Sequence, residues 1–273
     1  MKNVIIRAIS GAVYVAIIIA AIFAGIEAYF ALALVLAGLG IVEFHKITTG
    51  SKSVSIGLLF GSPVILDILG AATVIAIPVV MQTGHIATCF VYVVARLVVE
   101  LYLKNEDPVK SLSRSMMAQV YIALPLCASL AIYMLTGPWI VFSLFLFIWI
   151  NDTGAFLVGI TIGKHRLFER ISPKKSWEGF FGGLFFCAAT AYCLSHFSII
   201  STDDMTTLQY VAMAVLISIA ATYGDLIESM IKRSLKIKDS GNLIPGHGGI
   251  LDRIDSFLLV APAVICYLFY IGL

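Results

Sequence analysis

The chain has 273 residues, 60% of them hydrophobic and 12% charged, with a formal net charge of +2. The charged share is about half that of a soluble domain. It is too small to cover the outside of a water-soluble protein of this size, so lipid must be the solvent for much of the surface. The five cysteines, Cys89, Cys127, Cys187, Cys193 and Cys266, all lie in apolar runs without a CxxC pair. They read as small buried hydrophobes, with neither a disulfide frame nor a zinc site.

A helix needs about 20 apolar residues to cross a bilayer. In chain order the candidates are 8–25, 28–42, 54–81, 84–102, 116–135, 138–160, 178–197, 207–228 and 256–272. The first has a basic start and an apolar stretch, like a signal peptide, but the apolar segments behind it make a retained helix the more natural reading. The third is overlong and carries Asp67, Pro63 and Pro78, so a broken span or two short pieces are expected there. The expected fold class is all-α: a polytopic integral membrane protein of about nine transmembrane helices with a cytoplasmic N-terminus. With that count, 17 of the 18 basic residues fall in the inner segments 1–7, 43–53, 103–115, 161–177 and 229–255. Only Arg96 falls within a span, and Asp203 and Asp204 mark an outer loop. Moving one span breaks this positive-inside pattern, so count and orientation support each other.

Polarity is uneven along the chain. Residues 1–135 are expected to be scaffold, lipid contact or subunit interface. Residues 136–273 are expected to be the catalytic region, with cytoplasmic loops 161–177 and 229–255. Arg96 and Glu100, four apart, read as an intrahelical ion pair. His85 and His196 read as interfacial residues, and Glu43-Phe44-His45 as a helix end or a weak site element, the former favoured.

Two carboxylate pairs stand out: Asp225 with Glu228 on the eighth span, and Asp252 with Asp255 at the start of the ninth. A spacing of three puts both members of a pair on one helix face. Four carboxylates close to lipid repel one another and are costly to desolvate unless something positive compensates. Structural salt bridges to Lys232, Arg233 and Arg253 are one answer. A hard divalent cation is the other, and the two acid pairs beside a glycine turn and a basic loop favour it. Oxygen ligands without sulfur suit Mg²⁺ better than zinc.

Gly246-His247-Gly248-Gly249 lies just before the ninth span. Its backbone can approach a ligand closely, and successive free N–H groups there make an anion-binding cup. A flexible turn would explain the glycines but not His247 and Arg253 beside them. A second site-like stretch runs from Asn151-Asp152-Thr153-Gly154 through Gly163-Lys164 to Ser172-Pro173-Lys174-Lys175-Ser176-Trp177-Glu178-Gly179. Asp152, well inside the sixth span, is a functional candidate by its depth. The lysines suit phosphates or, equally, an anionic-lipid surface. This is not a Walker A loop, because the Gly159–Lys164 spacing is wrong and His165 stands where Ser or Thr belongs.

At these residues the chain resembles the phosphatidate cytidylyltransferases, or CDP-diacylglycerol synthases. The resemblance rests on Ser229-Met230-Ile231-Lys232-Arg233, Lys238-Asp239-Ser240-Gly241, Pro245-Gly246-His247-Gly248-Gly249 and Asp252-Arg253-Ile254-Asp255-Ser256, supported by Asp152 and the Ser172–Gly179 stretch. It covers about residues 148–256, roughly 40% of the chain. Ile162, where Phe is expected, is a departure at a packing position. The resemblance implies attack of the lipid phosphate on the α-phosphorus of CTP, giving CDP-diacylglycerol and pyrophosphate. It further implies Mg²⁺, with a second cation possible, a homodimer, and a polar cavity open to cytoplasm and lipid in a bacterial inner membrane. CTP, phosphatidic acid and membrane lipids are the expected partners; nucleic acid is not.

Within that scheme Asp225, Asp252, Asp255 and Lys175 are the catalytic candidates. Asp225, Asp252, Glu228 and Asp255 are the metal candidates. Asp152, Ser172, Lys174, Ser176, Glu178, Lys232, Arg233, Lys238, His247, Gly248, Gly249 and Arg253 are the substrate-binding candidates. A phosphate monoester has its second pKa near ~6, so the attacking oxygen needs no strong base and the task is positioning and charge stabilisation. The nearest rivals are another membrane CTP-dependent enzyme, such as a polyprenol or phytol kinase, and an archaeal-lipid cytidylyltransferase. An ion-coupled transporter built on Asp67, Asp152 and Asp225 is the rival from another class. It would place its acids near mid-bilayer, whereas these cluster toward the cytoplasmic end.

Overall fold

The computed structural model describes residues 2–50, 63–81, 87–103, 105–200, 205–241, 243 and 248–273. Two compact units make up the chain: Met1–Ala131 with Asp239–Arg253, and Ile132–Lys238 with Ile254–Leu273.

The first unit opens with α1 (Lys2–Ala24) and α2 (Ile26–Thr49). α2 ends at Gly50, whose left-handed backbone turns its N–H onto the Lys46 carbonyl. The overlong third segment is indeed broken. α3 (Val64–Ile75) stops at Ala76 and a short α4 (Ile77–Met81) follows, with Pro78 near its start, where a missing N–H costs nothing. α5 covers Ala87–Tyr102. α6 (Pro108–Ala118) starts cleanly, with the Asp107 side chain accepting from the Lys110 N–H and Pro108 at the first position. A π turn (Gln119–Ala123) joins α6 to α7 (Leu124–Thr136). Pro125 lies just beyond this turn; its ring would clash with the Tyr121 carbonyl in an unbroken α-helix, and a widened turn relieves that.

In the second unit α8 (Pro138–Ile162) leads to a hairpin of β1 (Arg166–Phe168) and β2 (Ser172–Ser176). Then come α9 (Trp177–His196), α10 (Thr207–Ser234) and α11 (Leu251–Ile271). The antiparallel hairpin pairs Arg166 with Ser176 and Phe168 with Ser172. It is the one sheet among the described residues, so the all-α class holds. α10 is fastened at its start by a reciprocal capping box between Thr206 and Gln209. Stacked Phe145 and Phe257, with ring centroids 4.6 Å apart, belong to the core of this unit.

Among the described residues six helices are long and apolar enough to cross a membrane: Ile26–Thr49, Pro108–Thr136, Pro138–Ile162, Trp177–His196, Thr207–Ser234 and Leu251–Ile271. Of the other expected spans, the first keeps an apolar stretch Ile9–Ala24 and the third keeps Val64–Ile75, its residues 54–62 lying outside the described residues. The fourth is the 16-residue α5, which carries Arg96 and Glu100. His85 lies outside the described residues.

Those two charges belong to a buried network in the first unit. Arg96 and Asp67 are both 0% exposed. Arg96 Nη1 meets Glu100 Oε2 at 2.7 Å, the ion pair expected from their spacing. Its other nitrogens donate to Ser115 Oγ and Ser111 Oγ, each at 2.9 Å. Asp67 takes His45 Nε2 at 2.7 Å and the Tyr92 hydroxyl at 3.0 Å, with Arg96 Nε 3.6 Å away. Gln119, at the π turn, donates to the Asp67 carbonyl at 2.8 Å. Buried charges persist only where each is paired and hydrogen-bonded, because losing one partner strands the other.

Arg96→Met should therefore destabilise the fold by about 3–5 kcal/mol, leaving the buried Glu100 without its cation and Asp67 without the guanidinium beside it. A lowered melting temperature of the detergent-solubilised protein would register this. Adding Glu100→Gln to Arg96→Met should recover part of the loss.

Candidate active site

The Lys164–Gly179 segment is locked by its own polar groups. Ser176 caps α9, its hydroxyl accepting from the Gly179 N–H at 3.1 Å. Glu178, in the first turn of α9, accepts from the N–H groups of Lys164 (3.1 Å) and His165 (3.2 Å) and pairs with His165 Nδ1 at 2.6 Å. Trp177 N–H donates to the His165 carbonyl at 2.9 Å. These bonds tie the ends of the hairpin together and fix β2, the strand that carries Ser172, Lys174 and Lys175. Lys175 reaches α10, where its ammonium lies 2.7 Å from Asp225 Oδ2 and 3.3 Å from the Thr222 carbonyl.

α10 and α11 touch backbone to backbone at Gly224. A Cβ there would come within 2.8 Å of the Asp255 carbonyl oxygen and 2.9 Å of Ser256 Cα. The glycine is what lets the next residue, Asp225, lie beside Asp255. One ligand atom from each of Asp225, Glu228 and Asp255 falls within 4.8 Å of the others. Asp225 Oδ1 accepts from the Ser229 hydroxyl at 3.2 Å, and Asp255 Oδ1 from the Ser256 N–H at 2.6 Å. Glu228 is buried with the Lys232 ammonium against it, one turn further along α10. Three carboxylates so close need more positive charge than two lysines on the rim supply conveniently. Their oxygens form the hard donor set of a divalent cation site, so these residues fit a metal.

Next to this cluster is a cavity of about 370 Å³ within the second unit. Asp152, Lys174, Lys175, Ser176, Thr222 and Asp225 supply its polar lining, while Phe156, Ile160 and Phe180 supply apolar walls. Asn151, buried beside Asp152, accepts from the Ser218 hydroxyl at 2.6 Å and donates to Thr222 Oγ1 at 3.4 Å. That link holds α8 to α10 about one turn ahead of Asp225. Arg233 and Lys238 are exposed, at the end of α10 and beyond it.

The glycine turn belongs to the first unit. Asp252 Oδ2 accepts from the Ser240 N–H (3.0 Å), the Ser240 hydroxyl (3.0 Å) and the Gly249 N–H (2.9 Å). The Gly249 N–H, expected to face an anion, is thus donated to Asp252. Gly248 has φ 84, a left-handed turn that suits glycine. Arg253 is exposed, and its carbonyl accepts from the Tyr14 hydroxyl at 3.1 Å. His247, with Pro245 and Gly246, lies outside the described residues.

Glu43, for which the sequence favours a helix end over a weak site element, lies inside α2 rather than at its end. The side chain is only 7% exposed and accepts from the Leu251 N–H (3.0 Å) and the Ser240 hydroxyl (3.1 Å). A carboxylate inside a long apolar helix was the available signal.

Residues 5–271 match the family model described as the cytidylyltransferase family. Among similar proteins, the phosphatidate cytidylyltransferase of Staphylococcus aureus (strain COL) is 44% identical over 118 residues, 43% of this chain and 44% of that protein. The phosphatidate cytidylyltransferase of Mycobacterium leprae is 38% identical over 188 residues, 64% of this chain and 59% of its own length. That of Bacillus subtilis is 43% identical over 115 residues, 42% of each chain. The chain thus spans about half the length of the curated relatives it matches. With a family model matched along nearly its whole length, and the acidic and basic groups of the second unit gathered as described, the chain belongs to the cytidylyltransferase family.

Proposed function

We propose that this protein transfers a cytidylyl group from CTP to phosphatidate, producing CDP-diacylglycerol and pyrophosphate. The observation that carries the reading is the approach of Asp225, Glu228 and Asp255 to within 4.8 Å of one another, beside a cavity lined by Lys174 and Lys175. The names of the similar proteins support the same activity.

A phosphate oxygen of phosphatidate forms a bond to the α-phosphorus of CTP. The bond from that phosphorus to the bridging oxygen breaks, and its electron pair leaves with pyrophosphate. The nucleophile is already anionic, so the protein's work is to bring two anions together. Asp225, Glu228 and Asp255 would hold Mg²⁺, which when bound neutralises phosphate oxygens; a second cation is a further possibility of the same acidic set. Asp252 is kept as a metal ligand on the strength of the sequence resemblance alone. Lys175 offsets Asp225 and lies within reach of the cavity, where it and Lys174 would grip phosphate oxygens. Ser172 and Ser176, Asp152, Glu178, Lys232, Arg233, Lys238, Gly248, Gly249 and Arg253 complete the proposed substrate-binding set, with His247. Phe156, Ile160 and Phe180 give the cavity apolar walls, which suits a substrate with acyl chains in lipid. The basic loops support a site facing the cytoplasm; a homodimer in a bacterial inner membrane is carried over from the family resemblance.

Purified protein given phosphatidate, Mg²⁺ and CTP labelled at the α-phosphorus should move label into lipid and release pyrophosphate. Label remaining in nucleotide while the lipid gains a terminal phosphate would indicate a kinase instead. Asp225→Asn should cut transfer by about 10²-fold or more with the melting temperature kept within a few degrees. Full activity in that variant would remove the metal assignment. Stripping divalent ions with EDTA should abolish turnover and adding Mg²⁺ should restore it; turnover indifferent to the chelator would count equally against a cation.

A further inference from the structure

The Asp239–Arg253 segment is held by two carboxylates, and one of them comes from far away in the sequence. Glu43 on α2 is separated from Ser240 by 197 residues and from Leu251 by 208. Its Oε2 accepts from the Leu251 N–H, at the first residue of α11, and lies 3.1 Å from the Ser240 hydroxyl. The same hydroxyl lies 3.0 Å from Asp252 Oδ2. A hydroxyl carries one proton, so it can donate to only one of the two acids at a time. Ser240 therefore links Glu43 and Asp252 through one hydroxyl.

Gly241 and Gly249 face the Glu43 carboxylate so closely that a Cβ on either would run into its oxygens. The backbone is packed around the charge. Filling that space with an apolar side chain would avoid the expense of a buried carboxylate. A carboxylate has instead a geometric use: it accepts donors from two separate points of the segment, Ser240 and Leu251, at once.

We propose that Glu43 is a positioning residue, holding Ser240 and Leu251 so that the carboxylate of Asp252, a candidate metal ligand, keeps one orientation. The functional half of this statement rests on the activity proposed above. The clamp itself rests on the hydrogen bonds alone.

The experiment uses the full chain in detergent, with Glu43→Ala and Glu43→Gln. Amide exchange is followed in peptides covering residues 239–253, and kcat and KM are measured for CTP and phosphatidate. Glu43→Ala should speed exchange in that segment while leaving the other helices protected. It should lower kcat by roughly 10–100-fold, the usual loss when a ligand's supporting partner is removed, with KM for phosphatidate changed by less than about twofold. Glu43→Gln should recover most of the kcat, because its amide oxygen can accept the same two donors. Unchanged exchange and kcat in Glu43→Ala would overturn the proposal. So would equal damage in Ala and Gln with faster exchange throughout the chain, the mark of a merely structural residue. A wild-type chain that transfers no label, with exchange still confined to 239–253 in Glu43→Ala, would overturn the activity and the catalytic role, while the clamp would stand.

Discussion

The constraint behind this protein's site is that charge near a bilayer must find its neutralising partner in place, because water cannot supply it. Asp225, Glu228 and Asp255 can crowd together only because α10 and α11 meet at Gly224 with no side chain between them. Lys175 and Lys232 then approach from β2 and from the next turn of α10. Helix contact, acid cluster and lysine pair are one arrangement, and widening the contact would undo all three. The hairpin serves it by fixing where Lys175 starts, and Glu178 serves the hairpin by fastening its base to α9.

The cavity extends this logic toward substrate. One side offers ammonium and carboxylate groups, the other phenylalanine and isoleucine. A ligand with a phosphate head and an apolar body satisfies both sides without stranding either. This division of surface is more informative than any single residue, since lysines alone would suit any anionic surface and apolar walls alone any lipid.

Much of this was legible in the sequence because apolar runs and charge positions report directly on helices in lipid. The spans of the second half, the acid pairs at a spacing of three and the basic segments needed only local reading. The pairing of Arg96 with Glu100 did too, since both sit on one helix face. The hairpin was not legible: Arg166–Ser176 lacks the alternation of apolar and polar residues that marks a half-buried strand, and its stability comes from Glu178 and Ser176 at its edges. Nor was Glu43. Its partners lie about 200 residues away, and no spacing rule reaches so far. The three-acid cluster fell between these cases. Each pair could be read from its own helix, but the closeness of Asp255 to Asp225 depends on a contact at Gly224 that periodicity does not encode.

The buried network of the first unit has a consequence for how the chain enters the bilayer. α5 carries its own counter-ion, since Arg96 and Glu100 pair within one helix and can pass into lipid as a nearly neutral unit. Asp67 has no such companion on α3; its partners His45, Tyr92 and Arg96 come from α2 and α5. A buried Asp67 is therefore favourable only with those neighbouring helices packed against α3. The depth of α3 is thus tied to the packing of α2 and α5 against it, whereas α5 brings its own counter-charge.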